Sequence, residues 1–331
     1  MKAVIPVAGI GSNLRPHTHT QPKPLIPVAG KPILGHIIDN LIEAGITKQV
    51  FIIGYMREKI RDYVERNYAD QIQMEFVVQE PRKGLAHALW VSREAIADCE
   101  DILVVLGDTI FGDDTRHILA QEGAVLAVSH VEDPRKFGIA ILDKQEKVKM
   151  LREKPEIPTS NLGLVGMYKI SPVPVLLEEL DKMMEQAIPD DQEYPLVDAL
   201  MGMIHRGHEF RVHKVEHWFD CGERKSLLQV NRILLERKGN HVPKAGQNSV
   251  IIPPVYIAGD CVIENSIIGP HVAIAEHARI VNSIVKNSIL GAYSTLDSMM
   301  LNGSIVGNDT ALHGKFTSVN IGDNTEIDFD E

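Results

Sequence analysis

Short apolar runs alternate with amphipathic stretches through the first hundred or so residues of the chain. Residues 2–8 (KAVIPVA), 49–53 (QVFII), 74–78 (MEFVV) and 101–106 (DILVVL) read as strands, and 33–44, 58–67 and 85–97 carry the helical period between them. Strands rich in Val and Ile on both faces, separated by helices, imply a mostly parallel sheet covered on both sides. Right-handed crossovers make that a doubly wound α/β fold with ligands at the carboxyl ends of its strands. From 124 to 171 the pattern turns mostly to strand (AVLAVSHV, FGIAILD, KVKMLR, LVGMYKIS), followed by helices near 174–186 and 196–205 and a closing helix over 223–237. An antiparallel region added to the α/β domain fits this order.

Beyond a polar stretch with Gly and Pro the period changes. Ile257, Ile263, Ile268, Ile274, Ile280 and Val285 open a series at steps of five or six that runs to Leu312, and Ile321 and Ile327 resume it after a gap. A branched apolar residue at every sixth position, with Gly or Asn between, suits a three-sided parallel coil that stacks an aliphatic ladder inside and turns tight corners outside. Over roughly the last 75 residues the chain resembles the left-handed β-helix of hexapeptide-repeat proteins. The expected organisation is an α/β domain over 1–237, a linker over 238–254 and a left-handed β-helix over 255–331. Stacking of flat coil sides and an end that needs covering point to a homo-oligomer.

With 331 residues the chain exceeds one hydrophobic core, in keeping with two domains. Its 45 Asp and Glu against 34 Lys and Arg leave a net charge of −11, which repels a phosphate backbone and argues against a nucleic-acid partner. An anionic small substrate must then be held by local cations, backbone amides or a divalent metal. Cys99, Cys221 and Cys261 show neither CxxC nor zinc spacing and suit a reducing compartment. No apolar run approaches the ~18 residues of a membrane span, and the start of the chain lacks a signal peptide's apolar segment. These features are those of a cytoplasmic protein without a membrane partner.

The most informative string is 7–32, VAGIGSNLRPHTHTQPKPLIPVAGKP. It follows the first strand, and Gly9 and Gly11 let backbone amides approach phosphates closely. Downstream, Gln79 opens QEPRKGLAHA with Gly84, Asp108 ends the apolar run LVVLGD, and Asp220 stands in HWFDCG. Phe137-Gly138, Glu153-Lys154-Pro155, Ser160-Asn161 and Gly166-Met167-Tyr168 lie between. In this order and register the residues resemble the sugar-1-phosphate nucleotidyltransferases, whose signature reads GxGTRLxPxTxxxPKxLxPVxxKP, over most of 1–235.

The resemblance implies an enzyme that joins a nucleoside triphosphate to a sugar-1-phosphate, releasing pyrophosphate. It assigns Ala8, Gly9, Gly11, Gln79 and Gly84 to the nucleotide, and Gly138, Glu153, Lys154, Asn161 and Tyr168 to the sugar phosphate. Asp108 and Asp220 would hold Mg²⁺, while Arg15, Lys23 and Lys154 would carry charge at the reacting phosphates. A glutamine amide matches a pyrimidine imide edge, favouring dTTP or UTP, with GTP open if Gln79 does not read the base. The sugar phosphate's own anion is the nucleophile, which agrees with the absence of Ser-His-Asp or HExxH patterns among the 14 histidines. His17 and His19 read as loop residues, and Trp218 as packing.

One position departs from the family. Gly11-Ser12-Asn13-Leu14 puts Asn13 where the signature has arginine, and Arg15 is the nearest cation to replace it. Asn13 also keeps open a non-catalytic nucleotide-sugar-binding paralogue. A bifunctional enzyme whose β-helix transfers an acyl group is the third reading, with His271, His277 or His313 as its loop histidine.

Overall fold

The computed structural model describes residues 1–112, 114–189, 192–215, 218–242 and 246–315. The chain divides into two compact units, Met1–Val230 and Asn231–Glu331.

In the first unit the described residues include a nine-stranded sheet. Its main path runs Val148–Arg152, Ile139–Leu142, Leu162–Ile170, Ile102–Val105, Lys2–Val7, Lys48–Ile53 and Gln73–Val78. The last four of these are mutually parallel. Leu162–Ile170 joins them antiparallel and also pairs with Ala124–His130, which in turn takes Phe210–Lys214 as a parallel neighbour. This is the doubly wound sheet with its antiparallel addition.

Burial explains the pattern. Ala3, Val4 and Ile5 are consecutive and all fully buried, so both faces of their strand are covered. On one face Val4, Ile52 and Val104 share a core with Leu89, Leu176 and Leu200, contributed by helices Gly84–Val91, Val173–Met184 and Leu196–His205. Each such side chain contributes about 1.5–3 kcal/mol when withdrawn from water. Helices Ile33–Glu43 and Arg57–Tyr68 bury their own stripes, including Ile37, Leu41, Ile60 and Val64, outside that cluster.

The helical stretch expected over 85–97 is broken. It forms Gly84–Val91 and then Arg93–Ile96. Ser92 stands at the break, its hydroxyl donating to the Leu89 carbonyl at 2.9 Å, a local bond that competes with continuation of the helix.

Among the described residues of the second unit, three four-stranded, all-parallel sheets form the faces of the left-handed β-helix. Ile251, Ile268, Val285 and Leu301 lie in register on one face, and Ile257, Ile274, Leu290 and Val306 on the next. The hydroxyl of Ser266 accepts from the Ser283 amide 17 residues on, and that of Ser283 from Met299 after 16, so the coil tightens by one residue. One corner is an asparagine ladder: Asn248, Asn265 and Asn282 have φ of 48°, 48° and 50°, and their amides link at 2.8 and 3.3 Å. Asparagine tolerates this left-handed backbone better than other residues with a side chain. The stretch 238–254 already contains Val250–Ile251 and bridges from His241 to Tyr256 and from Gln247 to Glu264. Ile321 and Ile327 lie outside the described residues. No helix among those described is long and apolar enough to cross a membrane.

Candidate active site

The loops that follow the parallel strands meet at their carboxyl edge. The Tyr55 amide donates to the Ala8 carbonyl at 3.1 Å, and Gln79 to Ile53 at 2.9 Å, so adjacent strand ends are tied together. The loop after Lys2–Val7 is held by its own sequence. Gly11 has φ 69°, and a Cβ there would stand 2.8 Å from the Lys23 Cβ. The buried Thr18 hydroxyl donates to the Gly11 carbonyl at 2.9 Å. Gly9 opens onto unfilled space, with no atom within 4 Å of where a Cβ would be. The turn Ser12–Leu14 leaves Asn13 and Arg15 exposed while Leu14 is buried. Arg15 has no ion pair among the described residues. His17 is half-buried, and its pKa is lowered by burial and by the Arg224 charge.

Lys23 reaches from this loop to the first carboxylate. Its Nζ lies 2.6 Å from Asp108 Oδ2, with the two side chains 14% and 37% exposed. The second carboxylate arrives by strand pairing. Trp218–Asp220 runs antiparallel to Thr109–Phe111, which sets Asp220 opposite Thr109, and the Cys221 amide donates to the Asp108 carbonyl at 2.9 Å. Burial raises the Asp220 carboxyl above its ordinary pKa, the Asp108 charge pushes the same way, and Lys23 opposes both. The Gly222 amide holds Asp220 Oδ1 at 2.7 Å. Two carboxylates converge here beside one ammonium, an excess of negative charge that suits a small divalent cation. No group of three or more His, Cys, Asp or Glu side chains placed to hold a metal occurs among the described residues. Mg²⁺ in particular accepts one or two carboxylates and takes its other oxygens from phosphates and water, so this donor set fits it.

Next to the carboxylates lies a pocket of about 400 Å³. It brings together Gly138, Glu153, Lys154 and Tyr168, all expected at the sugar side, and adds Lys136 and Glu193, which the sequence did not single out. Tyr168 links the two regions: it is buried, its phenol is raised in pKa first by burial, and it senses the charges of both Glu153 and Asp108. Burial likewise raises Glu153, with Lys154 opposing and Asp198 and Glu193 adding to the rise. Lys154 adopts φ 36°, a strained backbone that its amide bond to the Phe137 carbonyl at 3.1 Å helps to hold. Phe137 meets Trp218 edge to face at 5.8 Å, so Trp218 packs the pocket wall. Asn161 is not in the lining. Its Oδ1 lies 3.2 Å from His130 Nδ1.

Gln79 is 5% exposed, and its amide nitrogen faces the Gly84 carbonyl at 2.9 Å and His87 Nδ1 at 3.2 Å. Both amide hydrogens are thereby engaged, and Oε1 keeps its acceptor capacity. Among the coil histidines, His271 is engaged at both nitrogens, by Glu236 at 3.0 Å and Asn287 at 3.2 Å. His277 Nδ1 lies 2.7 Å from Asp260 and its ring stacks on Tyr293 at 4.6 Å. His313 ends the strand Ala311–His313.

Residues 2–237 match the family model described as nucleotidyl transferase. The chain belongs to that family. Membership places it among enzymes that form a nucleotide sugar from a nucleoside triphosphate and a sugar-1-phosphate. It is 36% identical over 246 residues to the low-salt glycan biosynthesis nucleotidyltransferase Agl11 of Haloferax volcanii, a match covering 72% of this chain and 67% of that protein. A bifunctional protein GlmU of Methanococcus maripaludis is 35% identical over 333 residues, covering 99% of this chain and 74% of the other. Against GlmU from a second strain the chain spans 60% of the relative's length. Among solved structures, a Bacillus anthracis protein assigned as a glucose-1-phosphate thymidylyltransferase superposes with a TM-score of 0.63 at 26% identity, covering 73% of this chain and 97% of that one.

Proposed function

We propose that this chain transfers a nucleotidyl group from dTTP or UTP to a hexose-1-phosphate such as glucose-1-phosphate, giving a nucleotide sugar and pyrophosphate. The observation that carries the reading is the convergence of Lys23, Asp108 and Asp220 beside the pocket that holds Glu153 and Lys154. In this reading residues 1–237 do the chemistry, and the coil that follows drives self-association.

The sugar phosphate's oxygen attacks the α-phosphorus in line, the bond to the β-phosphate bridging oxygen breaks, and pyrophosphate leaves with its charge. No side chain need take a proton, because the nucleophile is already an anion. Mg²⁺ held by Asp108 and Asp220 would screen the anions that must approach each other. Lys23 and the amides around Gly9 and Gly11 face the triphosphate, Lys154 faces the sugar phosphate, and Arg15 stands in for the arginine absent at Asn13. The Gln79 carbonyl oxygen suits the N3–H donor of uracil or thymine, which cytosine lacks. The thymidylyltransferase name of the Bacillus anthracis relative supports the same choice.

A thermal-shift panel of nucleoside triphosphates and nucleotide sugars with Mg²⁺, run beside a pyrophosphate-release assay, tests this. A ligand that prefers the native state raises the apparent melting temperature. A pyrimidine triphosphate and its sugar product should give the largest shifts. The absence of both a nucleotide shift and pyrophosphate release would overturn the reading.

A further inference from the structure

The pocket beside the carboxylates carries charges of both signs. Lys136 and Lys154 line it, and so do two carboxylates, Glu153 and Glu193. Glu153 sits in the EKP segment. Glu193 comes from a different part of the chain, just ahead of helix Leu196–His205. Backbone bonds fix its position. The Tyr194 amide donates to the Lys83 carbonyl at 2.9 Å, and the Ala86 amide to the Tyr194 carbonyl at 3.0 Å. Gly84, at φ 87°, makes the approach possible, since a Cβ there would lie 2.8 Å from both the Glu193 Cβ and the Tyr194 carbonyl oxygen. Tyr194 itself is buried, its hydroxyl donating to the Gln186 carbonyl at 2.7 Å. Glu193 is exposed, yet close enough for its charge to act on Glu153.

An exposed carboxylate whose backbone is anchored through the neighbouring Tyr194, lining the same pocket of about 400 Å³ as a second carboxylate, offers acceptors to hydroxyl donors. We propose that Glu193 is a specificity-determining residue for the sugar: with Glu153 it accepts hydrogen bonds from the hydroxyls of an uncharged sugar phosphate and repels a sugar that bears its own carboxylate. This inference rests on the nucleotidyl-transfer reading. The substrate class it selects is a hexose-1-phosphate with free hydroxyls, in preference to a hexuronic acid 1-phosphate. Selection of this kind uses a repulsive element as well as an attractive one.

The test is steady-state pyrophosphate release by the full chain with Mg²⁺, comparing wild type with Glu193→Ala and Glu193→Gln on glucose-1-phosphate and glucuronic acid 1-phosphate. Wild-type turnover is measured first, and its absence would sink the parent reading and this inference with it. Given turnover, Glu193→Ala should raise KM for glucose-1-phosphate by roughly 10- to 100-fold, the loss of one charge-assisted hydrogen bond, and leave KM for the triphosphate within about 2-fold. Glu193→Gln, which keeps shape and hydrogen bonding but loses charge, should recover most of that KM and reduce the discrimination against glucuronic acid 1-phosphate by about 10-fold or more. Should the alanine variant melt early, the glutamine variant decides alone. An unchanged preference in Glu193→Gln, or a KM increase confined to the triphosphate, would overturn the inference while the transferase reading stands. The second outcome would mean that Glu193 only braces the Lys83–Ala86 segment.

Discussion

Replacing Arg15 with alanine separates what the phosphate loop needs for folding from what it needs for chemistry. The loop is held by the Thr18 hydroxyl on the Gly11 carbonyl, by buried Leu14 and by the Arg15 amide on the Ser12 carbonyl at 3.2 Å. None of these uses the guanidinium, which is exposed and has no ion pair among the described residues. Stability should therefore change by no more than about 0.5 kcal/mol, the usual range for a surface substitution. The reaction is another matter. Asn13 occupies the signature's arginine position on the exposed turn Ser12–Leu14, and a neutral amide cannot supply the charge-assisted contact to the triphosphate. If Arg15 supplies it, its loss removes a donor that acts in the transition state, worth about 10²- to 10³-fold in kcat, or roughly 2.7–4 kcal/mol. Asn13→Arg, by contrast, adds a charge where one is already provided and should alter kcat by less than about 3-fold. Rapid-quench measurement of the first turnover, with melting curves alongside, distinguishes the two effects. An Arg15→Ala enzyme within about 3-fold of wild type would refute the argument and leave the triphosphate to the loop amides, Lys23 and the metal.

The remaining predictions concern the carboxylates and the coil. Asp108→Asn and Asp220→Asn should each lower Mg²⁺-dependent pyrophosphate release by about 10³-fold or more with an unchanged far-ultraviolet dichroism spectrum, and normal turnover in either would remove that residue from the site. Burial raises the Glu153 pKa in the folded state, so the folded protein binds this proton more tightly than the unfolded chain, and stability falls as pH rises from the ordinary glutamate range through the raised value. Glu153→Gln should accordingly melt higher than wild type near pH 8, with the gap closing toward pH 4; a gap that widens in acid would contradict the assigned cause. Deleting residues 250–331 removes all three coil sheets and should lower the association state in light scattering while nucleotide binding persists, whereas an unchanged mass would assign assembly to the α/β unit.

Local periodicity made both architectures legible. Two-faced apolar runs separated by helices imply a covered parallel sheet, and steps of five or six imply a coil, because each period is written into consecutive residues whatever the rest of the chain does. The motif order also singled out Lys23, Asp108, Glu153 and Lys154. Other features depended on contacts between distant segments. Pairing of Trp218–Asp220 with Thr109–Phe111 brings the second carboxylate to the first. The bonds from Tyr194 to Lys83 and Ala86 carry Glu193 into the pocket, although nothing in QEYP marks it as more than a polar loop. Gln79 looked like a paired donor and acceptor, yet its donors face Gly84 and His87; Asn161, grouped with the sugar residues, lies against His130. A periodic pattern specifies which side of an element is buried, but which side chains then share a pocket depends on loop conformation and strand register, and those are set by packing across the whole domain.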